Sequence, residues 1–408
     1  MYIYYCSISK ISPKQNKISN QNFEFRSLTI TGKRKETAKM ATRVDRGEEA
    51  EIHGDVLEAI FSHVPSVDLV SASHVSESWH GAIATSLRHQ NPTKPWLILH
   101  TQSTRPPHAT AALAYDPRSD VWMRIRRPQI EHVAALRSSS TANMLYMLSP
   151  SAFAFSTDRL HSDWRSVTPP RVWRTDPIVA RVAGAVIVAG GACYFEDDPL
   201  AVELYDLRER AWRTCKPMPP SLKESASSSW LSAAATEEKL FLVEKQTGLT
   251  HWLDPKENSW SGPIALNPSQ PVQSCHISYS SYTGLILVGI CPIGNGETIK
   301  MWRIGENDFS IEEIGEMPED FVAGLKSDSE DFSIDVRLAG NFVYVYNSAA
   351  AEEVVACELA GECRWWKVRN VVERDGMILN TLVFTCAEVG IGELERVMTT
   401  KGWRFEVV

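Results

Sequence analysis

The octapeptide Tyr115-Asp116-Pro117-Arg118-Ser119-Asp120-Val121-Trp122 is one instance of a pattern: an Asp closes an apolar run, a turn follows, and a Trp six residues after the Asp opens the next run. The same offset joins Asp158 to Trp164, Asp206 to Trp212 and Asp254 to Trp260, and successive tryptophans lie 42, 48 and 48 residues apart. Four such pairs in order exceed coincidence. An Asp carboxylate suits the start of a turn because it accepts backbone N–H groups two or three residues on, and an indole beginning the next strand has the area to pack against a neighbouring sheet.

Upstream of the tryptophans lie β-rich runs: Leu145-Tyr146-Met147-Leu148, Ala185-Val186-Ile187-Val188, Leu240-Phe241-Leu242-Val243 and, further on, Leu285-Ile286-Leu287-Val288. Short strands repeating every 40 to 50 residues predict the four-stranded blades of a β-propeller. Two degenerate units extend the series. Met301-Trp302-Arg303-Ile304 with Phe309 and Met317-Pro318 forms the fifth, and Phe342 to Tyr346 with Trp365-Trp366 the sixth, Trp366 being taken as the counterpart of the earlier tryptophans. Six blades are favoured and the terminal assignments stay compatible with seven. Leu382 to Val389 is expected to supply a strand closing the ring onto the first blade, because an open ring exposes two unpaired sheet edges. The tryptophans are expected in the core.

Ahead of the strands the pattern is helical. Asp55 with Glu58 makes a capping box, and Val56, Leu57, Ile60, Phe61 and Val64 recur at helical spacing until Pro65. Asp68 opens a second run in which Leu69, Ala72, Val75, Trp79, Ile83 and Leu87 fall on one stripe. Some 40 residues is near the lower limit for independent stability, so part of this apolar surface is expected to face another protein.

The helical segment resembles the F-box. Ile52-His53, Asp55, Val56-Leu57, Ile60-Phe61, Val64-Pro65, Asp68-Leu69 and the Val75, Trp79 pair follow that family's order, with Ile52 and His53 where it has Leu and Pro. Ala189-Gly190-Gly191 supplies the double glycine of a kelch repeat, and together the two parts resemble plant F-box/kelch-repeat proteins. The expected fold is mainly β: a small N-terminal helical F-box over 48–90, then a kelch-type propeller over 95–408, preceded by a flexible basic arm over 1–39. The resemblance implies docking of the helices on a Skp-type adaptor of a cullin ubiquitin ligase through Ile52, Val56, Leu57, Ile60, Phe61, Val64, Pro65, Leu69, Val75 and Trp79.

Composition narrows the alternatives. A 43% hydrophobic content is globular, and 42 basic against 50 acidic side chains give a net charge of −8 without a dominating block, which points away from nucleic acid. The apolar run from Val182 to Phe195 is short for a membrane span and is broken by glycines. Eight scattered cysteines without a Cys-x-x-Cys pair read as buried thiols of a reducing compartment. Met1 to Ser12 lacks the basic leader of a secretory signal, so cytoplasm or nucleus is expected. Lys33-Arg34-Lys35 reads as a solvated tail or a nuclear address, and Met40 as an alternative start.

No phosphate-cradling loop, metal-spaced histidine pair or nucleophile elbow stands out, so no cofactor and no catalysis by this chain are expected. The expected role is that of a substrate receptor, with the propeller holding a protein to be ubiquitinated; family relatives suggest an enzyme of phenylpropanoid or flavonoid synthesis. Loops carry the candidate target contacts: Glu196, Asp197, Asp198, Asn295, Asp328, Glu330, Asp331 and Glu352. Their acidity suits a basic patch on the target, and solubility explains it equally. A propeller scaffold without a ligase role and a kelch-like metal oxidase are the alternatives.

Overall fold

The computed structural model describes residues 54–141, 143–191, 198–294, 296–326, 332–348, 353–369 and 380–408. The basic arm, Ile52, His53, Cys6 and Cys193 lie outside these residues, as do all the candidate target contacts except Asp198.

Three helices come first: α1 (Gly54–Phe61), α2 (Ser66–Ser73) and α3 (Glu77–His89). The second helical run is therefore two helices and not one. Ser76 breaks it, its hydroxyl accepting the Trp79 N–H at 3.2 Å as the N-cap of α3, so Val75 sits exposed in the turn instead of on the stripe. Likewise Asp55 lies in the first turn of α1 and not ahead of it.

The strands that follow form six antiparallel sheets arranged as the blades of a propeller. Blade 2 comprises Arg137–Ser138, Leu145–Leu148, Phe153–Ser156 and Arg165–Val167; blade 3 comprises Ile178–Val182, Ala185–Ala189, Val202–Asp206 and Ala211–Thr214. Blades 4 (Leu231 to Ala265), 5 (Ser274 to Glu316) and 6 (Ile334 to Arg369) repeat the plan, and the first strands of neighbouring blades touch around the central axis.

Blade 1 has five strands. Trp96–Ser103, Thr110–Asp116 and Val121–Arg126 form its middle. Asn380–Ala387 pairs with Trp96–Ser103 along its whole length and closes the ring, two residues earlier than the closing strand expected at 382–389. The chain then forms helix α5 (Ile391–Met398) and adds Arg404–Val407 to the outer edge of the same blade, opposite Met123 to Arg126. The tail thus flanks blade 1 on both sides. A further helix, α4 (Glu319–Lys326), packs beside blades 5 and 6.

The Asp-to-Trp spacing has a physical cause. Asp206 Oδ1 accepts the N–H groups of Arg208 and Glu209, and Asp254 Oδ1 those of Lys256 and Glu257. The residue two before the Trp then takes a positive φ (Asp120, Arg210, Asn258), which returns the chain into the outer strand. Three of the tryptophans bond towards the preceding blade, whereas the Trp164 indole N–H donates to His161 O of its own turn (3.2 Å). The indole N–H of Trp122 donates to Arg369 O of blade 6 (2.6 Å), that of Trp212 to Thr168 O beyond blade 2 (2.8 Å), and that of Trp260 to Lys216 O beyond blade 3 (3.1 Å). Trp122 is buried, whereas Trp164, Trp212 and Trp260 are half-buried at the blade rims and not full core. In blade 5 Phe309 takes the place, its ring tilted 34° to that of Trp252 at 5.0 Å, without the N–H bond. In blade 6 Trp365 packs towards blade 5 and Trp366 towards blade 1, so Trp365 is the true counterpart. Neighbouring aromatics alternate along a strand and cannot share a face.

Candidate functional site

Two ends of the propeller carry features beyond packing. At one end sits the helical unit. Leu57, Phe61, Leu69, Ala82 and Ile83 form its buried core, with Val64, Ala72, Trp79 and Leu87 at the margin; the Trp79 ring meets Phe61 edge-on at 5.2 Å. Sequence-expected docking residues therefore divide. Leu57, Phe61 and Leu69 are spent inside the unit, Val64, Pro65 and Trp79 are half-buried, and Val56 (51% exposed), Ile60 (47%) and Val75 (61%) are bare aliphatics. Only the last three present apolar surface at no structural cost.

The unit is fixed to blade 1 by the turn between Thr110–Asp116 and Val121–Arg126. Arg118 is 5% exposed, and its guanidinium donates to three backbone carbonyls of the helical unit: Phe61 O at 2.5 Å, Val64 O, and Asn91 O at 2.9 Å. A cation at the C-terminal end of α1 meets the unpaired carbonyls and the negative end of the helix dipole. Asp116, fully buried, accepts the Ser66 hydroxyl (2.9 Å) and N–H (3.3 Å) at the start of α2, and Asn91 Nδ2 donates to Ser62 O and Arg118 O. Val67 and Val70 of α2 complete the seat against Leu394, Val397 and Trp403 of the tail. His74 Nε2 lies 3.0 Å from Glu395 Oε1. Sequence reasoning took the Arg118 turn as a turn only, because a solvated arginine in a loop reads the same in one dimension.

At the opposite end the propeller opens into a cavity of about 900 Å³. It is lined by the beginnings of the first strands and the ends of the second strands, including Ser138, Ser274, Lys245, Ser333, Arg337 and Thr381. Ala185–Ala189, Gly284–Ile293 and Phe342–Asn347 run towards this end of the propeller. Asp198 is exposed and accepts the Leu200 N–H.

Charge in the cavity is mixed. Asp176 is held by Ser228 Oγ (2.5 Å), Ser229 N (3.0 Å) and Ser229 Oγ (2.7 Å). Arg337 donates to Phe384 O, Val336 O and Ser138 Oγ, and its carbon lies 5.5 Å from the Tyr346 ring centre. Lys245 Nζ donates to Ser228 O (3.1 Å), and burial lowers its pKa against the pull of Asp335 and Asp176. Burial pushes His276 down to about 4, so it is neutral. Among the described residues no group of three or more His, Cys, Asp and Glu gathers to hold a metal, and no helix is long and apolar enough to cross a membrane.

Comparison with known proteins agrees with the geometry. The F-box domain family matches residues 54–91. An F-box/kelch-repeat protein of Arabidopsis thaliana is 40% identical over 376 residues, covering 85% of this chain and 92% of the relative. Among solved structures, proteins from Bacteroides uniformis and Bacteroides fragilis assigned as 6-phosphogluconolactonases each match 71% of this chain, at TM-scores of 0.41 and 0.37 and identities of 10% and 9%. They cover 99% and 98% of those chains.

Proposed function

The chain belongs to the F-box/kelch-repeat family, and we propose that it is the target-holding subunit of a Skp-type, cullin-based ubiquitin ligase. One observation carries this reading: three bare aliphatics, Val56, Ile60 and Val75, sit on a helical unit rigidly seated at the end of the propeller opposite an open polar cavity. In this reading Val56, Ile60 and Val75 contact the adaptor, while Leu57, Phe61, Val64, Pro65, Leu69 and Trp79 hold the helices that present them. The chain contributes no bond-making step. Its work is to raise the effective concentration of a target lysine near ubiquitin carried by the ligase partners, turning a bimolecular encounter into a tethered one. The target lies across the cavity mouth, and an enzyme of phenylpropanoid or flavonoid synthesis is the first client to test, in cytoplasm or nucleus.

The test uses purified full-length chain and a purified Skp-type adaptor. Changing Val56 and Ile60 together to Asp is expected to weaken adaptor capture by about a hundredfold, since each truncated interface anchor costs about 1 kcal/mol or more and a buried carboxylate adds to that. The melting temperature should be unchanged. Undiminished capture by the folded double variant would overturn the receptor reading.

A further inference from the structure

We infer that the cavity receives a carboxylate-bearing stretch of the target's polypeptide, with acidic side chains reaching Lys245 and Arg137 and the adjoining segment covering Trp230; this rests on the receptor reading above. Among the described residues five ionised side chains line the cavity: Arg137, Lys245 and Arg337 against Asp176 and Asp335. They leave one positive charge in excess within a chain whose net charge is −8.

The availability of hydrogen-bonding groups sharpens this. Asp176 already accepts three hydrogen bonds from Ser228 and Ser229, and Asp335 faces Arg337 at 4.0 Å. Two of the cations keep spare donors. An ammonium has three N–H donors, and Lys245 directs one to Ser228 O; Arg137 donates to Thr175 O and lies 3.9 Å from Asp176 Oδ1, with its side chain 44% exposed. The lining thus offers donors and asks for acceptors. Half-burial of Lys245 has removed water without supplying an anion at contact distance, so an incoming carboxylate replaces hydration already lost.

The occupant is a chain segment because the surface continues past the cavity. Trp230 is 50% exposed on the rim, with Gln246 and Gln273 exposed beside it. An exposed Trp on a cavity that also holds arginines has the composition of a protein-binding hot spot, and amides suit the backbone of an extended peptide. A small free anion would leave that rim uncovered. The acidity of the loop residues named from sequence had pointed to a basic target patch; the described lining has the opposite bias.

The experiment pans a phage-displayed random dodecapeptide library against the full chain, then measures synthetic versions of the enriched peptides by their change in tryptophan fluorescence. Expected are peptides rich in Asp and Glu whose affinity falls with added salt. Arg137→Glu with Lys245→Glu should weaken binding about tenfold or more, Trp230→Ala about tenfold, and Lys245→Arg less than threefold, all at unchanged melting temperature. Enrichment without an acidic excess, no enrichment, undiminished binding by the charge-reversed variant, or citrate competing as well as the peptides would each overturn the inference. Adaptor capture is measured on the same preparations. Its retention alongside failed peptide binding sinks this inference alone, and its loss in the unaltered chain sinks the receptor reading.

Discussion

The two ends of this molecule present contrasting chemistry. At the helical end the exposed groups are aliphatic, few, and carried on three short helices with their own core. At the cavity end they are hydroxyls, amides and charges contributed by strands hundreds of residues apart, from Ser138 to Thr381. The first arrangement suits one partner met by many receptors, because shape and apolar area are enough for it. The second suits one partner met by one receptor, because donors and acceptors must match in space.

Three measurements sharpen or break that contrast. The largest effect belongs to Leu57, which is 7% exposed in the helical core. Leu57→Ala should cost about 2–5 kcal/mol of local stability by leaving a cavity, and should release the amides of α1 to α3 to hydrogen exchange while blades 3 to 5 stay protected. If those amides keep their protection, Leu57 is not a member of the helical core and belongs with Val56 and Ile60 on the docking face.

Arg118→Ala comes next. It strips three helical-unit carbonyls of a charged donor, and hydrogen bonds to charged groups contribute about 1.5–3 kcal/mol. The helices should keep their fold and their adaptor affinity but loosen against blade 1, which exchange at Ser62 and Ser66 would report. Unaltered exchange there would mean the two ends are not mechanically joined through this turn.

Trp212→Phe should be the mildest, losing the indole bond to Thr168 O while keeping most of the aromatic packing against Phe153 and Tyr205. The expected loss is about 0.5–1.5 kcal/mol in global unfolding by urea. A similar or larger loss confined to one blade would show that the ring does not unfold as one unit.

Much of this fold was legible in one dimension because the Asp turn and the Trp six residues later are local and repeat. Legibility failed where neighbours compete for a face. Trp365 and Trp366 are equivalent in composition, and only the alternation of side chains across a paired strand tells which one meets blade 5. It failed again at the tail, where Arg404–Val407 is too short to announce a strand and gains its meaning from pairing with residues some 280 positions earlier. At the helical end, spacing identified the apolar set but did not divide it into Leu57, turned inward, and Val56, turned out. The cavity was illegible for a plainer reason: its lining is serine and scattered charge, which sequence reading assigns to solvated loops.

The tail that flanks blade 1 also sets an order of events. A ribosome delivers Gly54–His89 early, yet the surface against which α2 rests includes Leu394, Val397 and Trp403, made some 300 residues later. Until residues 380–407 emerge and thread on either side of the first blade, the helical unit has no complete seat. Seating therefore doubles as a sign that blade 1 has closed, and a chain cut short of residue 380 carries its helices without a finished platform beneath them.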